Sequence, residues 1–186
     1  SNVYSIPEED YVSVPMKIVT DQKEYVDTPD LDVRQMVEEL RAYKGRSGTA
    51  CPNHGDWLEA FGKDEFIICI TITGKLSGSY NAARLAKEEY EEEFPERKVF
   101  VLDSLSAGPE MHLLIEKIEQ LRETESNFET ICEKLQEYSN HIAMLFALES
   151  MKNLANNGRI SPAAAKIAGV LGIRAIGKAQ DGELQM

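Results

Sequence analysis

Hydrophobic and polar residues follow one another along the chain in two kinds of pattern, one typical of strands and the other typical of helices. Residues 66–73 are mostly large or β-branched and apolar and end at Gly74, a pattern typical of a strand buried on both faces. From Ser77 onward, apolar or small residues recur every four positions opposite a charged side, which predicts an amphipathic helix. A second apolar strand follows over residues 98–102, so this stretch predicts a βαβ unit with a right-handed crossover.

The same two patterns predict the other elements of an α/β fold. Residues 12–20 alternate and contain Pro15, which predicts an edge strand because proline cannot donate a hydrogen bond within a sheet. Helical spacing predicts a helix over residues 31–43, with Thr28 or Asp30 as its N-cap. Further helices are predicted over residues 54–61, 113–121, 127–138, 150–155 and 162–171, and further strands over residues 141–148 and 173–178, before a hairpin turn at Asp181 and Gly182.

A polar break around Ser126 divides these elements into two groups. The first group predicts an N-terminal α/β domain over residues 1–125, with a parallel-type sheet flanked by helices. The second predicts the start of another α/β (α+β) domain over residues 126–186. Its last strand, after the Asp181 turn, is too short to finish a domain, so we expect the second domain to be incomplete in this chain.

Composition narrows the range of functions. The net charge of −12 and the absence of any basic cluster argue against binding to nucleic acid. Three widely spaced cysteines without a C-x-x-C pair indicate reduced thiols in a cytoplasmic protein and no zinc site. No apolar run approaches the ~20 residues of a membrane helix, which leaves at most a transient contact with a membrane. We expect no cofactor and no metal.

The turn between the central strand and its helix carries the candidate chemistry. Ser77 and Ser79 lie at or beside the helix N-cap, where hydroxyls, free backbone N–H groups and the positive end of the helix dipole favour an anion. The alternative is that Ser77 only caps the helix. Because parallel strands end at one edge of a sheet, we expect this turn to lie beside Asp103 and Ser104. Thr49 has no predicted packing role and, taken alone, is equally well a turn hydroxyl.

Several of these segments resemble one known family. Residues 72–86, ITGKLSGSYNAARLA, are similar to the Ile-Ser-Ser-x-Leu-Ser-Gly-Thr-Tyr signature of the DegV family. Residues 49–52 resemble its Thr-Ser-x-Pro element, residues 101–104 its Val-x-Asp-Ser strand end, and residues 154–161 its Leu-x-x-Gly-Gly-Arg-Ile-Ser turn, with Asn157 in place of a glycine. The order of the elements over about 140 residues makes the match specific.

The resemblance implies two α/β domains with one long-chain fatty acid in the cleft between them. Carried over to this sequence, it implies that Thr49 and Ser77 donate hydrogen bonds to the carboxylate. Gly78 and Ser79 would support it with an N–H group and a hydroxyl, and Arg159 is a further candidate at the cleft. The resemblance also implies that the protein is not an enzyme but presents its fatty acid to a separate fatty-acid kinase.

The competing hypothesis is a phosphotransfer or hydrolytic enzyme that acts on a small anionic substrate at the Ser77 turn. The first domain of the family resembles the substrate domain of dihydroxyacetone kinases, which use a histidine. The only histidines are His54, His112 and His141, and we expect none to have a carboxylate partner at a telling spacing. No phosphate-binding G-x-x-x-x-G-K-[ST] loop is present, so a carrier is favoured. A structural module with an empty cleft is the third alternative.

Overall fold

The structure, a computed structural model, describes residues 11–148, 150–158, 161 and 175–185. Its strands are β1 (Lys17–Val19), β2 (Glu24–Val26), β3 (Gly48–Ala50), β4 (Phe66–Thr71), β5 (Lys98–Asp103), β6 (Leu145–Leu148), β7 (Ala175–Gln180) and β8 (Glu183–Gln185). Its helices are α1 (Val33–Ala42), α2 (His54–Phe61), α3 (Ser79–Glu93), α4 (Pro109–Thr124), α5 (Phe128–Ser139) and α6 (Lys152–Asn156). Arg159 and the helix predicted over residues 162–171 lie outside the described residues.

The central unit consists of β4, α3 and β5. The two strands pair in parallel, from Phe66 opposite Lys98 to Thr71 opposite Asp103, which confirms the predicted parallel arrangement. Helix α3 lies close to these strands because Ala83 and Ala86, on its inner side, are completely buried and have only a methyl group to accommodate. The mixed α/β architecture expected from the sequence is therefore present.

Helices cover both faces of this parallel pair. On one face, α2 and α3 pack against the strands in a cluster formed by Trp57, Phe61, Cys69, Ala83, Ala86, Tyr90 and Val99. On the other face, α4 and α5 form a second cluster of Leu102, Leu114, Leu121, Ile131 and Leu135. Since α5 begins after the predicted boundary at residue 125 but shares the core of α4, the boundary itself stays a prediction.

Burial also explains the chemical state of two cysteines, Cys69 and Cys132. Burial raises the pKa of the Cys69 thiol to about 12 and is the main cause that raises the pKa of Cys132 to about 11. Both therefore remain protonated at neutral pH and act as small apolar core residues. All three cysteines are free of disulfide bonds within the described part of the chain.

The N-terminal strands correct two sequence predictions. β1 is not an edge strand but the centre of an antiparallel sheet with the order β2-β1-β3. Pro15 precedes Lys17, the first residue of β1, so its missing N–H group interrupts no bond of the sheet. The N-cap of α1 is Asp32, whose carboxylate accepts a hydrogen bond from the Gln35 N–H group, because the helix begins at Val33 rather than at residue 31.

The last described strands form a separate antiparallel sheet with the order β6-β7-β8. Strand β6 is shorter than predicted, because the backbone N–H of His141 still donates to Tyr138 at the end of α5. The predicted hairpin between β7 and β8 is confirmed, and Asp181 and Gly182 both have positive φ angles, 51° and 81°. Among the described helices, none is long and apolar enough to cross a bilayer.

Candidate functional site

The start of α3 presents two serine hydroxyls side by side. Gly78 is the N-cap and has no side chain with which to cap the helix. Ser77 Oγ lies 3.0 Å from Ser79 Oγ and accepts a hydrogen bond of 3.2 Å from the Ser79 backbone N–H group. Ser79 is almost fully buried, whereas Ser77 is half-buried and Gly78 exposed. Of the two serine hydroxyls, that of Ser77 is therefore the more accessible.

The bonds around Ser77 Oγ allow two arrangements of the hydroxyl protons, one of which points the Ser77 proton outward. The Ser79 N–H group already donates to this oxygen, and the Ser79 hydroxyl is close enough to donate as well. When both donate, Ser77 Oγ uses its acceptor capacity inside the turn and its own proton remains for an external acceptor. The free N–H groups at the start of α3 add partial positive charge, which also favours an anion. The turn is thus suited to a carboxylate or phosphate oxygen.

Backbone bonds hold the turn against the ends of β4 and β5. The Thr73 carbonyl accepts from the Leu76 and Ser77 N–H groups at 3.1 and 3.2 Å. The Asp103 carboxylate accepts from the Gly74 N–H group at 3.2 Å and from the Leu105 N–H group at 3.0 Å. The expected meeting of the Ser77 turn with the end of β5 is therefore present, and Asp103 positions the loops at this edge.

Ser104, the neighbour of Asp103, lies behind this turn. It is buried, and its hydroxyl donates to the Ser106 carbonyl at 3.2 Å while accepting from the Ser106 N–H group at 3.2 Å. Both contacts stay within the loop that follows β5. Ser104 therefore shapes this loop from inside rather than facing a ligand.

The segment that carries Thr49 approaches the turn from the other side. A Cβ atom placed on Gly78 would lie 3.0 Å from Cys51 Sγ, so a larger residue at position 78 would press against the Cys51 side chain. Thr49 itself is exposed on β3, where it pairs with Ile18 of β1. The two segments that the family resemblance assigned to the carboxylate are therefore in contact through Gly78 and Cys51. The role of Thr49 stays a prediction.

Residues from the later part of the chain also reach this edge. The Thr73 hydroxyl donates to the Gly182 carbonyl at 3.1 Å, which joins the hairpin to the base of the Ser77 turn. The Asn157 side-chain amide lies 3.5 Å from the Ser47 carbonyl, just before β3. Arg46 donates to the Asn156 carbonyl. Segments from both predicted domains thus border the candidate site.

The comparison with known families agrees with these features. The model of the DegV family, described as a family of uncharacterised proteins, matches residues 4–186. The chain belongs to the DegV family. This confirms the family resemblance seen in the sequence.

One relative and two solved structures illustrate what this DegV-family chain is similar to. A DegV domain-containing protein of Streptococcus pneumoniae is 42% identical over 171 residues, which cover 92% of this chain and 61% of that relative. A DegV family protein from Eubacterium eligens loaded with heptadecanoic acid has 45% identity and a TM-score of 0.86 over 92% of this chain and 63% of its own. The Streptococcus pneumoniae Fatty Acid Kinase (Fak) B3 protein loaded with linoleic acid has 42% identity and a TM-score of 0.90, over 94% of this chain and 63% of its own. The chain spans about three-fifths of the length of these relatives.

The histidines of this DegV-family chain pair with groups other than the Ser77 turn. His54 Nε2 lies 3.1 Å from a carboxylate oxygen of Glu89 on α3. His112 Nε2 lies 3.1 Å from Glu116, one helical turn further along α4, so the expectation that no histidine has a telling carboxylate spacing was wrong. His141 Nδ1 contacts the Glu137 carbonyl. Within the described residues no group of side chains could hold a metal ion.

A surface cavity elsewhere does not involve the predicted site residues. It has a volume of about 400 Å³ and lies between β2, the following loop and the start of α1. Its lining includes Lys23, Tyr25 and Gln35, and none of the predicted ligand donors. The arrangement of donors at the start of α3, rather than this cavity, therefore defines the candidate site.

Sequence reasoning missed one buried acid close to this edge. Glu110, in the first turn of α4, is only 4% exposed, and its Oε2 atom has no hydrogen-bond partner among the described residues. Burial raises the pKa of the Glu110 carboxyl. The only signal in the sequence is a charged residue four positions before the buried Leu114, on the inner side of the helix.

We expect Glu110 to make the protein less stable as the pH rises. The folded state binds its proton more tightly than the unfolded state, so stability falls between the ordinary glutamate pKa and the raised pKa. Glu110→Gln is expected to raise the urea midpoint of unfolding at about pH 8 and to leave it nearly unchanged at about pH 4. Glu123→Gln, an exposed position on the same helix, is the control. Equal pH profiles for both variants would contradict this account.

Proposed function

We propose that this DegV-family protein carries one long-chain fatty acid between its two domains and holds the carboxylate at the start of α3. The observation that carries the proposal is the Ser77 hydroxyl, which is half-buried, accepts from the Ser79 N–H group and lies at a helix N-terminus whose N-cap is a glycine. Hydrogen bonds to a charged group contribute very roughly 1.5 to 3 kcal/mol each. Support also comes from the two relatives whose structures hold heptadecanoic acid and linoleic acid.

In this proposal the site residues have different roles. Ser77 and Thr49 donate their hydroxyl protons to the carboxylate, and Gly78 contributes an N–H group without a side chain in the way. Ser79 is too buried to reach a ligand and orients Ser77 from behind. Arg159 is proposed as a cationic neighbour of the carboxylate on the basis of the family motif alone.

The acyl chain supplies most of the binding free energy. Transfer of ~16 methylenes from water into an apolar cleft gains on the order of 10 kcal/mol before the costs of ordering are subtracted. The head-group bonds then determine orientation, because they fix the carboxylate at the sheet edge. The fatty acid is then accessible for chemistry only at its carboxylate end.

We infer that this chemistry is performed by a separate fatty-acid kinase and that the protein itself is no enzyme. The chain contains no nucleotide phosphate loop, and within the described residues the histidines contact Glu89, Glu116 and Glu137 rather than the Ser77 turn. Support comes from the name of the Fak B3 relative, which assigns that protein to a fatty acid kinase. In this proposal the carrier works in the cytoplasm and exchanges fatty acid through transient contact with a membrane.

A reconstitution tests this function. The complete protein, loaded with fatty acid and mixed with ATP and magnesium, is expected to form no acyl phosphate on its own. Addition of the fatty-acid kinase from the same organism is expected to yield acyl phosphate, measured by trapping with hydroxylamine, with the kinase and free acid alone as the control. Acyl phosphate without the kinase would show an enzyme, and none with the kinase would leave only a lipid-binding protein.

A further inference from the structure

Thr73 lies at the centre of the bonds that shape the Ser77 turn. Its backbone carbonyl accepts from the Ser77 N–H group at 3.2 Å, and its own N–H group donates to the Ser106 carbonyl at 2.8 Å. Its hydroxyl accepts from the Lys75 N–H group at 3.3 Å and donates to the Gly182 carbonyl at 3.1 Å. One residue therefore joins the ligand turn, the loop after β5 and the β7–β8 hairpin.

The contact between Thr73 and the hairpin is closely packed and dry. Thr73 is 1% exposed, so water competes little for its hydrogen bond to Gly182. A Cβ atom on Gly182 would lie 2.5 Å from Thr73 Oγ1 and 3.4 Å from Leu105, which leaves no room for a side chain. The φ angle of 81° at Gly182 also favours glycine. Both the lack of space and the positive φ angle at Gly182 therefore favour glycine where the hairpin approaches Thr73.

We propose that Thr73 is a positioning residue that couples docking of the β7–β8 hairpin to the placement of the Ser77 hydroxyl. The inference rests on the proposed function, because it assigns the turn to a carboxylate. The Thr73 hydroxyl donates to the hairpin, and the Thr73 backbone carbonyl accepts from the Ser77 N–H group. Thr73 therefore contacts the hairpin and the Ser77 turn at the same time. The carboxylate site is therefore complete only when the hairpin is docked, although no atom of the hairpin needs to touch the ligand.

Two buried threonines that are two positions apart, Thr71 and Thr73, allow a matched test. Thr73→Val removes the hydroxyl that bonds Gly182 and keeps the shape of the side chain. Thr71→Val is the control, since Thr71 is equally buried and its hydroxyl makes only a 3.5 Å contact with the Leu102 carbonyl. In the complete, delipidated protein we expect Thr73→Val to weaken oleate binding about three- to tenfold, Thr71→Val less than twofold, and Thr73→Ser to restore binding.

The hairpin side of the contact has its own control. Gly182→Ala is expected to weaken oleate binding at least as much as Thr73→Val, and to add little when the two are combined, because both break the contact between Thr73 and Gly182. Thr73→Val also removes the acceptor of the Lys75 N–H group, which Gly182→Ala retains. Gly62→Ala is the control for backbone strain, since Gly62 also has a positive φ of 57° but has nothing within 4 Å of its added Cβ. We expect Gly62→Ala to leave oleate binding unchanged.

Amide hydrogen exchange of the ligand-free protein separates this inference from the proposed function. Residues 77–79 are expected to exchange faster in Thr73→Val and Gly182→Ala than in the wild type and in both controls. Equal exchange in all variants would overturn the coupling, as would wild-type affinity in Thr73→Val. A wild-type protein that binds no oleate would overturn the proposed function, and the exchange data would then still decide whether the hairpin orders the turn.

Discussion

Replacement of Ser77 by alanine is expected to lower the affinity for a long-chain fatty acid by about five- to a hundredfold. The variant leaves one carboxylate oxygen without its donor, a loss of roughly 1 to 3 kcal/mol. It also removes the acceptor of the Ser79 N–H group at the start of α3. Titration calorimetry with oleate, on delipidated complete protein, measures the change directly.

The control for Ser77→Ala is Ser139→Ala. Ser139 is also half-buried and bonds locally, to the Gln136 carbonyl at 2.7 Å, but it ends α5. We expect it to bind oleate like the wild type. Thr49→Val is expected to weaken binding in the same direction as Ser77→Ala. If both site variants fold normally and bind oleate as tightly as the wild type, the carboxylate is held elsewhere.

Replacement of Leu102 by alanine is expected to lower the free energy of unfolding by about 2 to 5 kcal/mol. Leu102 is 1% exposed and lies where β5 meets the cluster formed by α4 and α5. The substitution removes buried methyl groups and leaves a cavity that the helices on this face close only in part. Urea denaturation followed by circular dichroism gives the change from the shift of the midpoint at constant slope.

Leu113→Ala provides the control for the Leu102 variant. Leu113 lies on α4 but is 40% exposed, so its removal costs little burial. We expect a change below about 1 kcal/mol. A similar loss in both variants would contradict the description of this face as a tightly packed core.

The sequence predicted the central unit well because its information is local. The apolar run of β4, the amphipathic spacing of α3 and the apolar run of β5 each differ from their surroundings over six or more residues. Helix α2 begins and ends where predicted, since Asn53 and Asp56 form a capping box at its start. The position of Ser77 at the carboxyl edge then follows from the topology of any parallel βαβ unit.

The N-terminal sheet could not be predicted in the same way. Strands β1, β2 and β3 have only three residues each, so no periodicity distinguishes them from a loop. The centre of this sheet is decided by which strands pair, and Lys17 pairs with both Val26 and Ala50. A proline near the start of β1 suggested an edge because the exact start of the strand was unknown.

The hairpin contact at the candidate site also lay beyond the sequence. Thr73 and Gly182 are 109 residues apart, and neither residue type signals a partner. Thr73 looked like the end of a buried strand, and Gly182 looked like an ordinary turn glycine. Only the fold shows that the hydroxyl of one meets the carbonyl of the other beside the Ser77 turn.

The most direct test of the central claim is the lipid content of the protein itself. Complete protein purified from a bacterial host is extracted with organic solvent, and the extract is quantified by mass spectrometry against the protein concentration. The account predicts about one long-chain fatty acid per polypeptide, and clearly less for Ser77→Ala than for Ser139→Ala. The absence of stoichiometric lipid, together with no uptake of added palmitate or oleate, would contradict the claim that this protein is a fatty-acid carrier.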